Sequence, residues 1–169
     1  ETVRIGAPHL DPEIDSVTFT HALDADDAED AIGAMPGAGA LLASLSRVRW
    51  RMASRAFRGV AVAWLRHCDL PVPPALVTVD DIKHGKPAPD PYLRAAELLG
   101  FGPADCLVVE DAPAGVQAAK SAGATVLALR TTHGRGDLGL ADEHTLGLHT
   151  IEATVERDEI VVSWEPAAD

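Results

Sequence analysis

The sequence predicts an α/β domain with a parallel sheet and helices on both faces, and three observations carry that prediction. The apolar run at 106–109 is continuous instead of alternating, as expected of a strand buried on both faces, and 75–79 and 124–129 read as further short apolar strands. Segments of helical periodicity lie between and around them, at 56–67, 91–99 and 113–122, so strand and helix alternate along the chain. Proline and glycine fall at the boundaries, with Pro71, Pro73 and Pro74 before one strand, and Gly100 and Gly123 ending two of the helices.

The elements follow in order. Residues 1–31 read as irregular and acidic, ending in Asp24, Asp26, Asp27, Glu29 and Asp30. Met35-Pro36-Gly37 is a turn that opens a helix over 38–45 through Ala38, Leu41, Leu42 and Leu45. Val48-Arg49-Trp50-Arg51-Met52-Ala53 alternates apolar and basic residues as a sheet strand does. Phe57, Val60, Ala61, Trp64 and Leu65 then recur at helical spacing. Pro87, Pro89 and Pro91 punctuate a loop and start the helix at 91–99. At the end, Thr150–Val155 and Glu159–Trp164 flank Arg157-Asp158 and predict a hairpin, with Trp164 expected to cover a sheet edge. Trp50 and Trp64 are expected in the core, His144 and His149 at surface or packing positions, and His133-Gly134-Arg135-Gly136 in a loop near the site mouth.

Bulk properties narrow the function classes. A chain of 169 residues is one domain by length, and 47% hydrophobic with 4% aromatic residues implies an aliphatic core. Fourteen Lys and Arg against 26 Asp and Glu give a net charge of −12, which argues against a nucleic-acid partner. An anionic ligand would therefore need local dipoles, a few cations or a metal. Cys68 and Cys106 show no metal or disulfide spacing, and no apolar run reaches membrane-spanning length, so a cytoplasmic location without a membrane partner is expected.

In an open parallel sheet, ligands bind outside the carboxyl ends of the strands. Ser54 follows the 48–53 strand, Lys86 lies in the loop after 75–79, and Glu110 and Asp111 directly follow 106–109. A hydroxyl and an ammonium can orient and neutralise phosphate oxygens, and adjacent carboxylates suit Mg²⁺, a cation that prefers oxygen ligands. Each residue also has a plainer reading: a turn hydroxyl for Ser54, a solvated loop lysine for Lys86, and helix capping for the carboxylates.

Ser54, Lys83-His84-Gly85-Lys86-Pro87-Ala88-Pro89-Asp90-Pro91 and Val108-Val109-Glu110-Asp111-Ala112-Pro113-Ala114-Gly115-Val116 resemble motifs II, III and IV of haloacid dehalogenase (HAD) superfamily hydrolases. The resemblance is to the β-phosphoglucomutase-like and sugar-phosphate phosphatase branch, and it covers about residues 34–140. Met35-Pro36-Gly37-Ala38 is similar to the segment that re-joins the core from the helical cap, and Pro8-His9-Leu10-Asp11-Pro12-Glu13 to the end of such a cap. The resemblance implies a Rossmann-like three-layer core with a truncated cap. Residues 1–33 would then be cap remnant and linker, and 34–169 the core. It also implies a Mg²⁺-dependent aspartyl-phosphate mechanism on a small phosphorylated metabolite. Ser54 and Lys86 would bind the phosphoryl group, Asp111 would ligate Mg²⁺, and Glu110 would assist the metal shell.

Members of this family carry Asp-x-Asp-Gly, whose first Asp is the nucleophile and second the acid-base group. That motif does not occur in this sequence. The nearest substitute is Asp24-Ala25-Asp26 after Val17–Leu23, a segment that can just form a strand; Asp27 stands in place of Gly, and an acidic solvated linker is the plainer reading. At motif II, Arg55 and Phe57 are bulkier than the family pattern. Three functional readings therefore stand. One is an active phosphatase of small sugar or polyol phosphates using Asp24 and Asp26. Another is an inactive relative that binds phosphate or metal. The last is an oligomerising module, a homodimer through an exposed sheet edge, in which a neighbour replaces a lost central strand.

Overall fold

The structure, a computed structural model, describes residues 3–4, 16–19, 33–45, 50–156 and 159–168, with backbone alone for 3–4, 16–19, 155–156 and 159. The main sheet has six parallel strands in the order β4-β3-β2-β5-β6-β7. These are β2 (Ser16–Phe19), β3 (Trp50–Ala53), β4 (Leu76–Val77), β5 (Cys106–Glu110), β6 (Thr125–Leu129) and β7 (Glu143–Thr145). A second, antiparallel sheet joins β1 (Val3–Arg4), β9 (Glu159–Trp164) and β8 (Ile151–Glu156), with β9 in the middle. The predicted C-terminal hairpin is β8 and β9. Its turn, Arg157-Asp158, lies outside the described residues, as do Val48 and Arg49 of the predicted 48–53 strand.

Four helices cover the main sheet: α1 (Ala38–Ser44), α2 (Arg58–His67), α3 (Asp90–Leu99) and α4 (Pro113–Ala122). Proline stands in the first turn of α3 and α4, where a missing N–H costs nothing. Both end on glycines in the left-handed region, Gly100 at φ 83° and Gly123 at φ 90°. The Arg51 guanidinium, nearly buried on β3, donates to the Leu98 carbonyl and so satisfies one of the orphan acceptors at the end of α3.

Every residue of β5 is buried, and the two-residue period of the strand sorts its side chains between two cores. Leu107 and Val109 join Leu127, Leu129, Trp50 and Met52 under α1, α2 and the hairpin, where Ile160, Val162 and Trp164 pack. Val108, with Val126 and Ala128, faces the opposite core, which Tyr92, Ala95, Val116 and Ala119 of α3 and α4 complete. Burying each Val or Leu contributes roughly 1.5–3 kcal/mol, so β5 anchors both layers. The glutamate that ends it is held by that anchoring.

Three expectations are corrected. Residues 16–19, placed with the cap remnant and linker although Val17–Leu23 can form a strand, make β2 in the centre of the sheet, paired to β3 on one side and β5 on the other. An interior slot left vacant would strand two rows of backbone donors and acceptors, and Ser-Val-Thr-Phe is rich in strand formers. The chain's own residues fill that slot, so the lost strand that motivated replacement by a neighbour is not lost. Trp164, expected over a sheet edge, lies on the middle strand of the hairpin sheet and is buried at 3% exposure. Finally, β7 was not predicted: Glu143-His144-Thr145 is polar, and besides pairing with β6 it makes only a single bridge, Thr145 with Pro166 of the tail. It is retained by the tail, since the Thr145 hydroxyl donates to the Glu165 carbonyl at 2.7 Å, and His144 is a buried packing residue.

Candidate active site

Because β2 to β6 are parallel, their carboxyl ends share one edge of the sheet, and Ser54, Asp111 and the loop carrying Lys86 stand there. That loop is tied to the start of α3: the His84 backbone N–H and ring both face Asp90 Oδ1, at 3.3 and 3.1 Å. The Ala88 N–H closes a turn onto the Gly85 carbonyl at 3.0 Å. Lys86, fixed between these contacts, turns inward.

Its ammonium forms an ion pair with Glu110 Oε1, and the two side chains are 4% and 0% exposed. The Tyr92 hydroxyl donates to the same oxygen at 2.7 Å. The other oxygen, Oε2, accepts the backbone N–H groups of Asp111 at 2.9 Å and Ala112 at 3.1 Å. Four donors thus converge on one carboxylate. Opposite it lies Gly115, where a Cβ would overlap the carboxylate itself, so only glycine allows α4 to begin there. Burial pushes the Lys86 pKa below its ordinary value; Glu110 and Asp111 pull it back only in part, and Arg55 adds to the lowering.

Asp111 is 6% exposed, and its carbonyl accepts a hydrogen bond from His133 Nδ1 at 3.1 Å. The same nitrogen lies 2.9 Å from the Thr132 hydroxyl. Ser54 is half-buried; its N–H donates to the Val77 carbonyl at 2.8 Å and its hydroxyl accepts the Ala56 N–H at 3.1 Å. It also lines a small apolar cavity with Met52, Trp64, Leu65 and Cys68.

The structure therefore brings Lys86, Glu110 and Asp111 together, and sets Ser54 on the same edge in a turn-capping role. Asp24 and Asp26 lie outside the described residues. Glu110 differs from expectation: both of its oxygens are engaged, by Lys86, Tyr92 and the backbone N–H groups of Asp111 and Ala112. Among the described residues, no group of three or more His, Cys, Asp or Glu side chains could hold a metal ion. Asp111 offers one carboxylate, and Mg²⁺ is often held by one or two carboxylates together with waters and phosphate oxygens, so the donor present fits that mode. Tyr92 was missed because its spacing with Ala95 and Ala96 is that of an ordinary buried helix face. His133 was placed only as a loop residue; nothing in the sequence links it to the Asp111 backbone.

A parallel sheet with helices on both faces thus carries a buried lysine–glutamate pair and an aspartate at its carboxyl edge. The chain belongs to the haloacid dehalogenase-like hydrolases, whose family model matches residues 2–123. It is similar to hexitol phosphatase A of Escherichia coli, 39% identical over 83% of this chain and 62% of that protein. It is also similar to glycerol-1-phosphate phosphohydrolase 2 of Saccharomyces cerevisiae, 35% identical over 58% of this chain and 43% of that one. The chain thus spans less than two thirds of these relatives. Among solved structures, a β-phosphoglucomutase from Thermotoga maritima described as putative superposes with TM-score 0.61 at 29% identity, covering 68% of this chain and 56% of that one. A HAD family hydrolase from Deinococcus radiodurans superposes with TM-score 0.66 over 79% and 91%, at 21% identity, which speaks to the fold.

Proposed function

We propose that this chain is the phosphate- and cation-handling core of a phosphatase acting on small sugar or polyol phosphates. The observation that carries this reading is the buried ammonium of Lys86, held by Glu110 beside Asp111 on the carboxyl edge of the sheet. On a chain of net charge −12, a preorganised cation at the carboxyl edge of the sheet is suited to an anion. The activities for which its relatives are named, hexitol phosphatase, glycerol-1-phosphate phosphohydrolase and, in Escherichia coli, a fructose-1-phosphate phosphatase, support the substrate class.

In this reading Lys86 binds and orients phosphoryl oxygens, with the Ser54 hydroxyl on the same edge as a further donor. Asp111 supplies a carboxylate to Mg²⁺, which when bound would neutralise charge on the phosphoryl group. Glu110 acts on Lys86 instead of on the metal. Asp24 and Asp26 are the sequence's candidates for nucleophile and acid-base group.

Two further parts belong to the proposal. A cytoplasmic setting accords with two free cysteines, Cys68 and Cys106, and no described helix is long and apolar enough to cross a membrane. A homodimer through a sheet edge would use the outer strands β4 or β7, and light scattering at two concentrations decides it.

The test is Mg²⁺-dependent phosphate release from hexitol, glycerol and fructose phosphates, with Lys86→Met, Asp111→Asn and Asp24→Asn beside the parent chain. Turnover that all three substitutions reduce by 100-fold or more, on the order of a lost charge-stabilising group, is the expected result. A folded parent that binds phosphate without releasing it would support a binding module instead.

A further inference from the structure

We propose that Tyr92 is a positioning residue for the phosphate site, its hydroxyl setting how tightly Glu110 holds the Lys86 ammonium. This rests on the reading of Lys86 as a phosphate-binding group.

The geometry around Glu110 leaves one adjustable contact. Oε2 is pinned by the backbone N–H groups of Asp111 and Ala112, which belong to the strand end and cannot shift without moving β5. Gly115 stands against the carboxylate from the α4 side, so the group has no room to retreat there. Oε1 is then shared by two donors, the Lys86 ammonium and the Tyr92 hydroxyl at 2.7 Å. A carboxylate oxygen has two lone pairs, and with the tyrosine on one, the ammonium holds the other. The bond to Glu110 uses one of the three ammonium hydrogens, and the hydroxyl draws density from the oxygen that would otherwise neutralise the cation. The ring contributes from the side: its centroid lies 5.2 Å from Lys86 Nζ, within cation–π range. Tyr92 is itself 3% exposed on the first turn of α3, so both contacts are fixed by packing. With the hydroxyl removed, Oε1 is left to the ammonium, and the lysine is drawn toward Glu110 and away from an incoming oxyanion.

Tyr92 is the single tyrosine of the chain, which makes the test direct. Inorganic phosphate is titrated, with Mg²⁺ present, into the parent, Tyr92→Phe, Lys86→Met and the double variant, and affinity is read by calorimetry. Tyr92→Phe keeps the ring and is expected to weaken phosphate binding about fivefold, the net worth of one hydrogen bond. In the Lys86→Met background the same substitution is expected to change affinity by less than about twofold, because it acts through the lysine. A second measurement needs no tyrosine variant: in parent protein labelled at tyrosine ¹³Cζ, phosphate should shift the single resonance saturably, with the same Kd. If the parent binds phosphate but Tyr92→Phe binds equally well, or the ¹³Cζ signal does not move, the positioning role is overturned. If the parent itself binds no phosphate, the phosphate-site reading fails first and takes this one with it.

Discussion

Lys86 and Glu110 form an ion pair from which water is nearly excluded, the lysine side chain being 4% exposed and the glutamate 0%. Two residues 24 positions apart in sequence meet because a proline-rich loop and a buried strand end at the same sheet edge. Burying two charges costs several kcal/mol per ion and is tolerated only with further hydrogen bonds, which Tyr92 and the Asp111 and Ala112 backbone supply.

Removing one partner should therefore be costly. Lys86→Ala strands the carboxylate and is expected to lower unfolding free energy by about 3 kcal/mol or more. Lys86→Ala with Glu110→Ala should lose less than the sum of the singles. Urea denaturation of the three variants measures this; strictly additive losses would show that the pair is not coupled.

Gly115→Ala places a methyl group where the Glu110 carboxylate lies. Overpacking of this kind costs about 1–3 kcal/mol, and here it also displaces the group that holds Lys86. The expected outcome is a lower melting temperature together with weakened phosphate binding. By contrast, Gly136→Ala, where a Cβ meets nothing within 4 Å, should leave phosphate binding unchanged.

His144 is 8% exposed on β7, and its pKa lies below the ordinary histidine value of 6.5, through burial first and then the Arg135 and Arg130 charges, with Glu143 opposing. The unfolded chain therefore binds this proton more readily than the folded one. Stability should fall as pH drops below about 6.5, the unfolded value, and level off below the folded pKa. In His144→Gln that part of the slope should be absent. Thermal melts between pH 7.5 and 5 compare the two; parallel curves would remove His144 as the cause.

Asp81 caps the turn at Val79–Asp81, where its carboxylate accepts the Thr78 N–H and hydroxyl, each at 2.8 Å, and also meets Arg58. Burial acts against its charge, but the Thr78 and Arg58 contacts outweigh it, so its pKa lies below the ordinary 3.8. Asp81→Asn should cost about 1 kcal/mol at neutral pH, as lost caps do. That advantage of the parent is present above the unfolded pKa and should fade as pH falls through the lower folded one. Urea midpoints at pH 7 and pH 3 test the sign.

The helices and buried strands were legible because their signals are local. Proline and glycine bracket α3 and α4, and Cys106–Val109 is apolar on both faces, which suffices to place Glu110 and Asp111 at a strand end. Lys86, Glu110 and Asp111 were therefore found as a constellation from sequence order alone. What the sequence did not determine depends on contacts between distant segments. That Ser16–Phe19 occupies the central slot follows from pairing with β3 and β5, and four strand-forming residues do not announce which neighbours they will lie between. Nor does β7 announce itself, since a short polar strand gains its place from contacts with β6 and the distant tail. Glu110's role was decided in space as well. Beside an aspartate it reads as a metal ligand, and only the convergence of Lys86, Tyr92 and two backbone donors shows its oxygens already engaged. Local propensity and periodicity are carried by neighbouring residues, whereas the partner of a buried charge is chosen by the packing that brings separate elements together.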